Sequence, residues 1–305
     1  MRDLFRQPDL AIVHRFRPAP YGGSNQFLTA LRSELRGRGL HVSDGAVGRK
    51  TRACLLHSYL VDAEDIRSRL HDGLRVVHRV DGPIALYRGD DDGSDRKIVE
   101  INHEFAHATI FQSRWSLEAH RAQGIELRDP VVISNAVDPA VFFPAPSAPL
   151  GGRVRLIATS WSDNPNKGGE TLQWLARTLD PDRYEFTFVG RTQVDLAPAR
   201  VVPPLDSQGV ASLLREHDVY LAPSLNDPCS NALIEALACG LPALHARSGG
   251  HSELVGAGGL GYDDREEIPS LLARLVDEYE ERRAGISVAA LLDVADCYLE
   301  VLGLR

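Results

Sequence analysis

The stretch DVYLAPSLNDPCSNALIEALACGLPALHA (218–246) determines how this chain is expected to fold. It opens with an apolar run typical of a buried strand and then passes through a polar loop. The run ALIEALA follows, made of strong helix formers that Gly240 and Pro242 would terminate. A second apolar run, LPALHA (241–246), completes the stretch. A strand, a helix and a strand in close succession predict parallel pairing within an α/β sheet.

The same alternation extends away from this stretch in both directions, which predicts two α/β domains. Between them, FPAPSAPLGGR (143–153) is rich in Pro and Gly and is typical of a linker. We therefore expect one domain over residues 1–148 and another over 149–288. Strands are predicted at 10–16, 53–59, 75–80, 109–113, 131–134, 153–160 and 184–190, and helices at 24–38, 169–179, 207–216 and 231–239.

Composition is that of an ordinary globular protein. The 305 residues are 43% hydrophobic and 25% charged, and the chain is long enough for two domains. No window offers the roughly 20 apolar residues that span a bilayer, and the first residues lack the apolar core of a signal peptide. The four cysteines are widely spaced, which indicates neither a zinc site nor a disulfide framework. A cytoplasmic location is expected.

Charge is distributed unevenly along the chain. The net charge is -8, but residues 1–150 carry 20 Lys and Arg against 19 Asp and Glu, whereas residues 151–305 carry 14 against 23. One interpretation is that the arginine-rich first half faces an anionic lipid surface or an anionic acceptor. The alternative is a solvated, arginine-rich surface. The basic residues in question are Arg32, Arg36, Arg38, Arg49, Lys50, Arg52, Arg67 and Arg69.

Two of the loops that follow predicted strands contain glycines before a helix. In PAPYGGSNQF (18–27), Gly22 and Gly23 precede a helix opened by Ser24 or Asn25, where backbone amides could approach a phosphate. A tight turn with a helix cap is the alternative. In TSWSDNPNKGGET (159–171), Lys167 precedes two glycines and a helix, where its ammonium could reach a diphosphate or simply lie on the surface.

The third loop lies in the opening stretch and carries an acid on each side of a helix start. Ser230 is a good cap for the helix, whose first amides belong to Asn231 and Ala232. Asp227 lies just before that end, and Glu235 lies one turn after Asn231 on the same face. The two acids could meet the sugar and the ribose of one ligand, with its diphosphate at the amides. Alternatively, Asp227 caps the helix and Glu235 is solvated.

Several motifs together resemble those of retaining GT-B glycosyltransferases of family 4. The run PSLNDPCSNALIEALACGLPALHARSGGHSELVG (223–256) resembles the donor-binding signature of that family, with Asp227 in place of its first Glu. VVISNAVDPAVFFP (131–144) resembles the interdomain segment, PYGGSNQF the glycine loop and NKGG the phosphate-binding lysine. This resemblance implies two Rossmann-like domains that face each other across a cleft. It also implies a final helix, about 289–305, that returns to the first domain.

The resemblance implies a role for each candidate residue. Glu235 would bind the ribose of a nucleoside-diphosphate sugar, and Asp227 would contact hydroxyls of the transferred sugar. Lys167, with the amides near Ser230, Asn231 and Ala232, would stabilise the leaving diphosphate. The donor would be a UDP- or GDP-sugar, with neither cofactor nor metal. The acceptor would bind the first domain, and the product would belong to polysaccharide or related glycan synthesis.

Two positions depart from the family pattern. Ser162 occupies the place where members commonly carry an Arg, and Arg191 after the strand FTFVG is a candidate replacement. Where many members have a His near the sugar, RVVHRVDGP (75–83) places Asp81. This carboxylate could accept a proton from the acceptor or bind a sugar hydroxyl. Alternatively, it is a turn residue ahead of Gly82 and Pro83.

Other patterns give weaker expectations. GDDDGSD (89–95) could hold a divalent metal, but it is interpreted as a solvated loop. GAGGLG (256–261) has the spacing of a dinucleotide-binding motif but lacks a following helix, so a turn is predicted. Two other functions stay open: a non-catalytic nucleotide-sugar-binding protein and a Rossmann-type NAD-dependent oxidoreductase. No nucleic-acid partner is expected.

Overall fold

A computed structural model describes residues 7–18, 22–146 and 150–305. The chain divides into two compact units. The first comprises Met1–Arg17, Asn25–Asn135 and Ala289–Arg305, and the second Pro18–Ser24 and Ala136–Val288. The predicted boundary after residue 148 lies outside the described residues, as do residues 19–21 of the predicted glycine loop.

The first unit is built on a parallel sheet. Within its described residues six strands pair in the order β2-β1-β3-β4-β5-β6, and every pairing is parallel. The sequence predicted five of these strands and missed the two-residue β2. The strands are β1 Leu10–Val13, β2 Val42–Ser43, β3 Ala53–His57, β4 Arg75–Val80, β5 Ala108–Phe111 and β6 Pro130–Val132.

Helices cover this sheet and bury their apolar faces against it. The predicted apolar face of the first helix is confirmed, because Phe27, Leu28, Leu31 and Leu35 are all buried. Helices that cover a sheet in this way are typical of parallel sheets, whose strands are apolar on both faces. The helices along this part of the chain are α1 Gly23–Gly37, α2 Ala63–Arg69, α3 Ile84–Arg88, α4 Ser94–Phe105 and α5 Arg114–Ala122.

The second unit repeats the plan with a second parallel sheet. Its described strands number six and run in the order β12-β11-β10-β7-β8-β9, so β10 lies next to β7. Their bounds are β7 Val154–Ser160, β8 Tyr184–Gly190, β9 Arg200–Val202, β10 Val219–Ala222, β11 Ala243–Ala246 and β12 Gly259–Tyr262. Two parallel sheets with interleaved helices confirm the predicted α/β class.

Two apolar clusters lie on the two faces of this second sheet. Leu172 and Leu272 belong to one cluster, and Leu214 and Leu233 belong to the other. A short 3-10 helix, Pro165–Lys167, leads into the first helix of the unit. The helices are α6 Gly169–Thr178, α7 Ser207–Arg215, α8 Asn231–Ala238, α9 His251–Val255, α10 Ile268–Asp277 and α11 Tyr279–Ala284. The last helix, α12 Leu291–Val301, clusters with the first unit.

The turn predicted for GAGGLG is wrong for its second half. Gly259–Tyr262 forms β12 and pairs in parallel with β11. A Cβ on Gly259 would lie 1.9 Å from the carbonyl oxygen of Ala243, so a side chain there would collide with the neighbouring strand. The glycine that suggested a turn is therefore needed for close strand pairing.

Across the described parts of the chain, no helix is both long enough and apolar enough to cross a membrane.

Candidate functional site

The loop between β10 and α8 presents the start of α8 at the carboxyl end of the second sheet. Ser230 caps this helix, since its hydroxyl oxygen accepts a hydrogen bond from the Leu233 amide at 3.4 Å. The helix ends before Gly240, whose φ of 86° is a conformation that favours glycine. The amides of Asn231 and Ala232 belong to the first turn, which attracts negative charge. Ligands of open parallel sheets bind at this edge.

Asp227 and Lys167 form an ion pair in this loop cluster. Nζ of Lys167 donates to Oδ2 of Asp227 at 2.7 Å, and Asp227 is only 5% exposed. Burial works to raise the pKa of Asp227, but the charges of Lys167 and His251 lower it overall. Asp227 also accepts a hydrogen bond from the Cys229 amide at 3.3 Å, as the capping alternative expects. The carboxylate is therefore held ionised, with its charge balanced inside the unit.

Two glycines allow these loops to approach closely. Gly168 has a φ of 75°, and a Cβ on it would lie 2.5 Å from the carbonyl oxygen of Pro223. Gly249 has a φ of 64°, and a Cβ there would lie 2.2 Å from the carbonyl oxygen of Asp227. Both positions therefore require the absence of a side chain. The glycines of NKGG and RSGG thus bring Lys167 and Asp227 together.

Glu235 is buried on α8, which overturns the alternative of a solvated helix residue. Its residue exposure is 8%, and burial raises the pKa of its carboxyl to about 8. Burial is the sole cause of this shift, with no opposing hydrogen bond or cation from the described residues, although the carboxyl oxygens are not among the fully buried atoms that lack a partner. A buried carboxyl whose pKa is raised in this way is costly for stability when ionised, and such groups concentrate at functional sites.

A cavity of about 180 Å³ lies beside Lys167 in the second unit. Ser162 and Arg191 both line it. The guanidinium of Arg191 stacks over the ring of Trp161 at 4.3 Å from the ring centroid, which fixes its plane. Arg191 is therefore a cation beside the same cavity as Ser162, the position where the family pattern has an arginine.

Gly22 and Gly23 fall in the segment that clusters with the second unit. A Cβ on Gly23 would lie 2.5 Å from Nδ2 and 2.6 Å from Cβ of Asn231, so Asn231 would have to move. A Cβ on Gly22 would meet the nearest atom of Trp161 at 3.4 Å, which is ordinary contact. The glycine loop therefore touches the first residue of α8.

We expect Gly23→Ala to lower the free energy of unfolding by about 1–3 kcal/mol, because overpacking displaces the Asn231 side chain. Gly22→Ala is the matched control and should cost clearly less. Chemical denaturation of both variants measures the difference. Equal costs for the two would show that the contact between Gly23 and Asn231 is not tight.

Asp81 lies directly after β4, at the carboxyl end of the first sheet. Nε2 of Gln112 donates to its Oδ1 at 2.5 Å, and the Ser116 hydroxyl donates to its carbonyl oxygen at 2.8 Å. The side chain keeps 23% exposure. Burial works to raise the pKa of Asp81, but electrostatic interaction with His57 and Arg79 and the hydrogen bond from Gln112 lower it overall. An ionised, partly exposed carboxylate can accept a hydrogen bond or a proton.

Sequence reasoning missed the polar residues that surround Asp81. His14 follows β1, and its Nε2 is buried with no partner in the described chain. His57 ends β3, and the next residue, Ser58, has a φ of 57°, which is uncommon outside glycine. Arg79 lies on β4 and is completely buried. An arginine inside the predicted strand RVVHRV (75–80) was the available signal.

The acidic run at 89–95 caps helices in the first unit. Asp91 and Asp92 accept hydrogen bonds from the amides of Gly93 and Ser94. Asp95 accepts from the first amides of α3. Over residues 7–18, 22–146 and 150–305, no group of three or more His, Cys, Asp or Glu side chains is arranged to hold a metal ion.

Many of the first-half arginines are already paired with carboxylates. The pairs include Arg32 with Asp44, Arg38 with Glu34 and Asp296, Arg67 with Glu104, and Arg69 with Asp65. An anionic lipid surface would have to compete with these local partners. Pairing of this kind favours the alternative of a solvated, arginine-rich surface.

Comparison with known families and relatives finds glycosyltransferases. Residues 165–278 match the family model described as Glycosyl transferases group 1, and this segment contains Lys167, Asp227 and Glu235. An MMP alpha-(1->4)-mannosyltransferase of Mycolicibacterium hassiacum is 29% identical over 158 residues. That alignment spans 45% of this chain and 38% of the length of the mannosyltransferase. Both likenesses support a glycosyltransferase.

Solved structures match the fold over almost the whole chain. A sucrose-phosphate synthase from Thermosynechococcus elongatus has a TM-score of 0.73 at 17% identity, covering 97% of this chain and 95% of its own. HepE from Anabaena, solved with UDP and glucose, has a TM-score of 0.69 at 16% identity, covering 97% of each chain. The starch synthase IV catalytic domain from Arabidopsis thaliana, bound to ADP and acarbose, has a TM-score of 0.71 at 11% identity, covering 97% and 99%. The expected fold, that of GT-B glycosyltransferases, is confirmed.

Proposed function

We propose that the chain is a glycosyltransferase that moves a sugar from a nucleoside-diphosphate sugar to an acceptor hydroxyl in the synthesis of a glycan or glycoconjugate. The observation that carries this proposal is the arrangement around the start of α8. A buried acid with a raised pKa, Glu235, lies on the helix that follows the ion pair of Asp227 and Lys167. Glu235 can accept hydrogen bonds from hydroxyls, Lys167 can neutralise a phosphate, and Asp227 is a second acid that can bind a sugar.

Glu235 is proposed to bind the ribose. A carboxylate accepts hydrogen bonds from two adjacent hydroxyls, and a bound ribose would give this buried acid such partners. The match of residues 165–278 to the glycosyltransferase family model supports the assignment. Asp227 is proposed to contact hydroxyls of the transferred sugar through the lone pairs that Lys167 leaves free.

Lys167, Arg191 and the first amides of α8 are proposed to stabilise the leaving diphosphate. Lys167 and Arg191 line the same cavity. A preorganised cation is most effective where charge develops in the transition state. We infer a retaining, metal-independent reaction in which the acceptor attacks the face that the diphosphate leaves. In that course these cations supply the stabilisation that a metal gives in other enzymes.

Asp81 is proposed to act on the acceptor in the first unit. Its carboxylate is partly exposed and is oriented by Gln112. It would accept a hydrogen bond from the attacking hydroxyl and then its proton. The acceptor class is a sugar or another hydroxyl compound. A UDP-sugar is the first donor to test, since HepE has been solved with UDP-glucose.

The test is thermal melting of the protein with UDP, GDP, dTDP, ADP and NAD. A ligand at 100 times its dissociation constant stabilises by about 2.7 kcal/mol, which raises the melting midpoint measurably. We expect one nucleoside diphosphate to raise the midpoint and NAD not to. Lys167→Ala and Glu235→Ala should lose the effect.

Two controls make the result decisive. Lys97→Ala removes an exposed lysine of α4 and should keep the full ligand effect. Turnover of the donor that carries the preferred nucleotide then separates an enzyme from a protein that only binds nucleotide sugars. Stabilisation by NAD alone, or by none of the five, would refute the proposed donor site.

A further inference from the structure

Arg79 lies in the middle of a buried hydrogen-bond network in the first unit. Its residue exposure is 0%. Its guanidinium donates from Nε to the Tyr298 hydroxyl at 3.1 Å, from Nη1 to Nδ1 of His57 at 3.0 Å, and from Nη2 to Oδ1 of Asn135 at 2.7 Å. The ring of Phe27 lies 5.0 Å from the guanidinium carbon. Each guanidinium nitrogen therefore has a partner that fixes its orientation.

None of these hydrogen-bond partners carries a negative charge. Arginine can only donate, so Nδ1 of His57 must be unprotonated and the ring neutral. Burial agrees with this, since it lowers the pKa of His57 to about 3. Among the described residues, one carboxylate lies within 4 Å of the guanidinium: Oδ1 of Asp81, at 3.8 Å from Nη1. A buried cation without a countercharge is strongly unfavourable, so Asp81 supplies the charge that Arg79 needs.

Asp81 in turn depends on Arg79 for a nearby positive charge. Gln112, from the loop after β5, gives its carboxylate a neutral hydrogen bond. The titratable groups that face it from other elements are histidines, and burial lowers the pKa of each, so they are neutral near pH 7. They are His14 after β1, His57 on β3, His78 on β4 and His120 on α5. Interaction with His57 also lowers the pKa of Asp81, but that ring is neutral near pH 7, so Arg79 is the cation beside Asp81 that stays charged among the described residues.

We propose that Arg79 is a positioning residue, whose buried guanidinium keeps the carboxylate of Asp81 charged and fixed at the end of β4. This inference rests on the proposed function, in which Asp81 receives the proton of the acceptor hydroxyl. Arg79 itself has no exposure and acts only through Asp81. Through Tyr298, Arg79 also joins β4 to α12. Through Asn135 it joins β4 to the last residue of the segment Asn25–Asn135 of the first unit.

The direct test is the titration of Asp81 in the full chain, followed by carbon-13 NMR of labelled aspartate carboxyls. The Asp81 signal is identified by its loss in Asp81→Asn. We expect it to titrate below the ordinary aspartate value in the wild type. In Arg79→Met the pKa should rise by about 1–3 units, the range by which a close opposite charge lowers a carboxyl.

Three variants separate charge from packing. Arg75→Met is the matched control, because Arg75 lies at the other end of β4 and donates to the carbonyl oxygen of Val301 on α12 at 2.5 Å. It should leave the Asp81 titration unchanged, as should Tyr298→Phe, which removes a partner of Arg79 but keeps the charge. Arg79→Lys should restore most of the lowered value.

The outcomes are distinct. If the pKa of Asp81 in the wild type is at or above the ordinary aspartate value, the proposal is overturned. This measurement does not depend on whether any variant folds. A folded Arg79→Met with an unchanged titration also overturns the proposal. If Arg79→Met does not fold, a low wild-type value that persists in Tyr298→Phe and Arg79→Lys supports the proposal.

The pH dependence of sugar transfer is a second measurement, and it would not change if Arg79 had a purely structural role. In Arg79→Met the acid limb of the pH-rate profile should shift upward by the same amount as the Asp81 titration, with transfer recovered at higher pH. The melting shift with a nucleoside diphosphate should be kept. If the wild type binds no nucleotide, the proposed function fails, while the NMR titration still decides whether Arg79 controls Asp81.

Discussion

Lys167→Ala is expected to lower the rate of sugar transfer by about 100- to 1000-fold, the usual cost of losing one preorganised group that stabilises developing charge. The ammonium lies 2.7 Å from Oδ2 of Asp227, and Lys167 lines the cavity that Arg191 also lines. Removing it leaves the Asp227 carboxylate buried without its cation. The variant should therefore also lose up to about 3 kcal/mol of unfolding free energy. Transfer assays and chemical denaturation measure the two effects separately.

A double variant separates the loss of stability from the loss of activity. In Lys167→Ala with Asp227→Asn, the buried negative charge is gone, so most of the lost stability should return. Transfer should stay low, because the cation for the diphosphate is still missing. If the double variant recovered transfer along with stability, Lys167 would serve only as a partner of Asp227, and the leaving-group role would be wrong.

Local patterns were sufficient to predict the fold class. Apolar runs separated by helical segments predicted nine strands and four helices that the structure confirms, including α8 and its cap at Ser230. The errors lie where pairing between distant segments overrides local preference. β12 contains two glycines, which disfavour a strand by themselves, yet it forms because β11 provides a close partner.

The chemistry of the site was less predictable than its location. The eight-residue spacing placed Asp227 and Glu235 around the start of one helix, but the ion pair between Lys167 and Asp227 depends on β10 lying next to β7, which is a property of topology. Burial of Glu235 and the raised pKa of its carboxyl depend on packing that sequence does not display. Arg79 was overlooked because a hydropathy pattern gives no reason for a fully buried arginine.

Glu235→Gln is expected to stabilise the protein at alkaline pH while weakening nucleotide binding. Burial raises the pKa of Glu235 from an ordinary value of 4.5 to about 8. Between these values the folded state holds a proton that the unfolded state has lost, so the free energy of unfolding falls as pH rises toward 8. Glutamine removes this dependence and keeps the shape of the side chain.

The sign and size of the effect can be measured by denaturation of both proteins at pH 6 and pH 9. Relative to Glu235→Gln, the wild type should lose about 2–3 kcal/mol over this interval, at about 1.4 kcal/mol for each pKa unit. Glu253→Gln, which replaces an exposed carboxyl of α9, is the control and should give a far smaller difference. A wild type whose stability tracks that of Glu235→Gln would mean that the carboxyl is not buried as described.

Nucleotide affinity should change with pH in the direction opposite to stability, which links the destabilising burial of Glu235 to function. If Glu235 accepts hydrogen bonds from a ribose, the ligand favours the ionised carboxylate and releases its proton. Calorimetric affinity for UDP should therefore rise between pH 6 and pH 8 more steeply in the wild type than in Glu235→Gln, which should bind more weakly at pH 8. A destabilising group retained because it binds ligand is the expected cost of a functional site. Equal affinities of the two proteins at both pH values would leave the buried acid unexplained and remove Glu235 from the donor site.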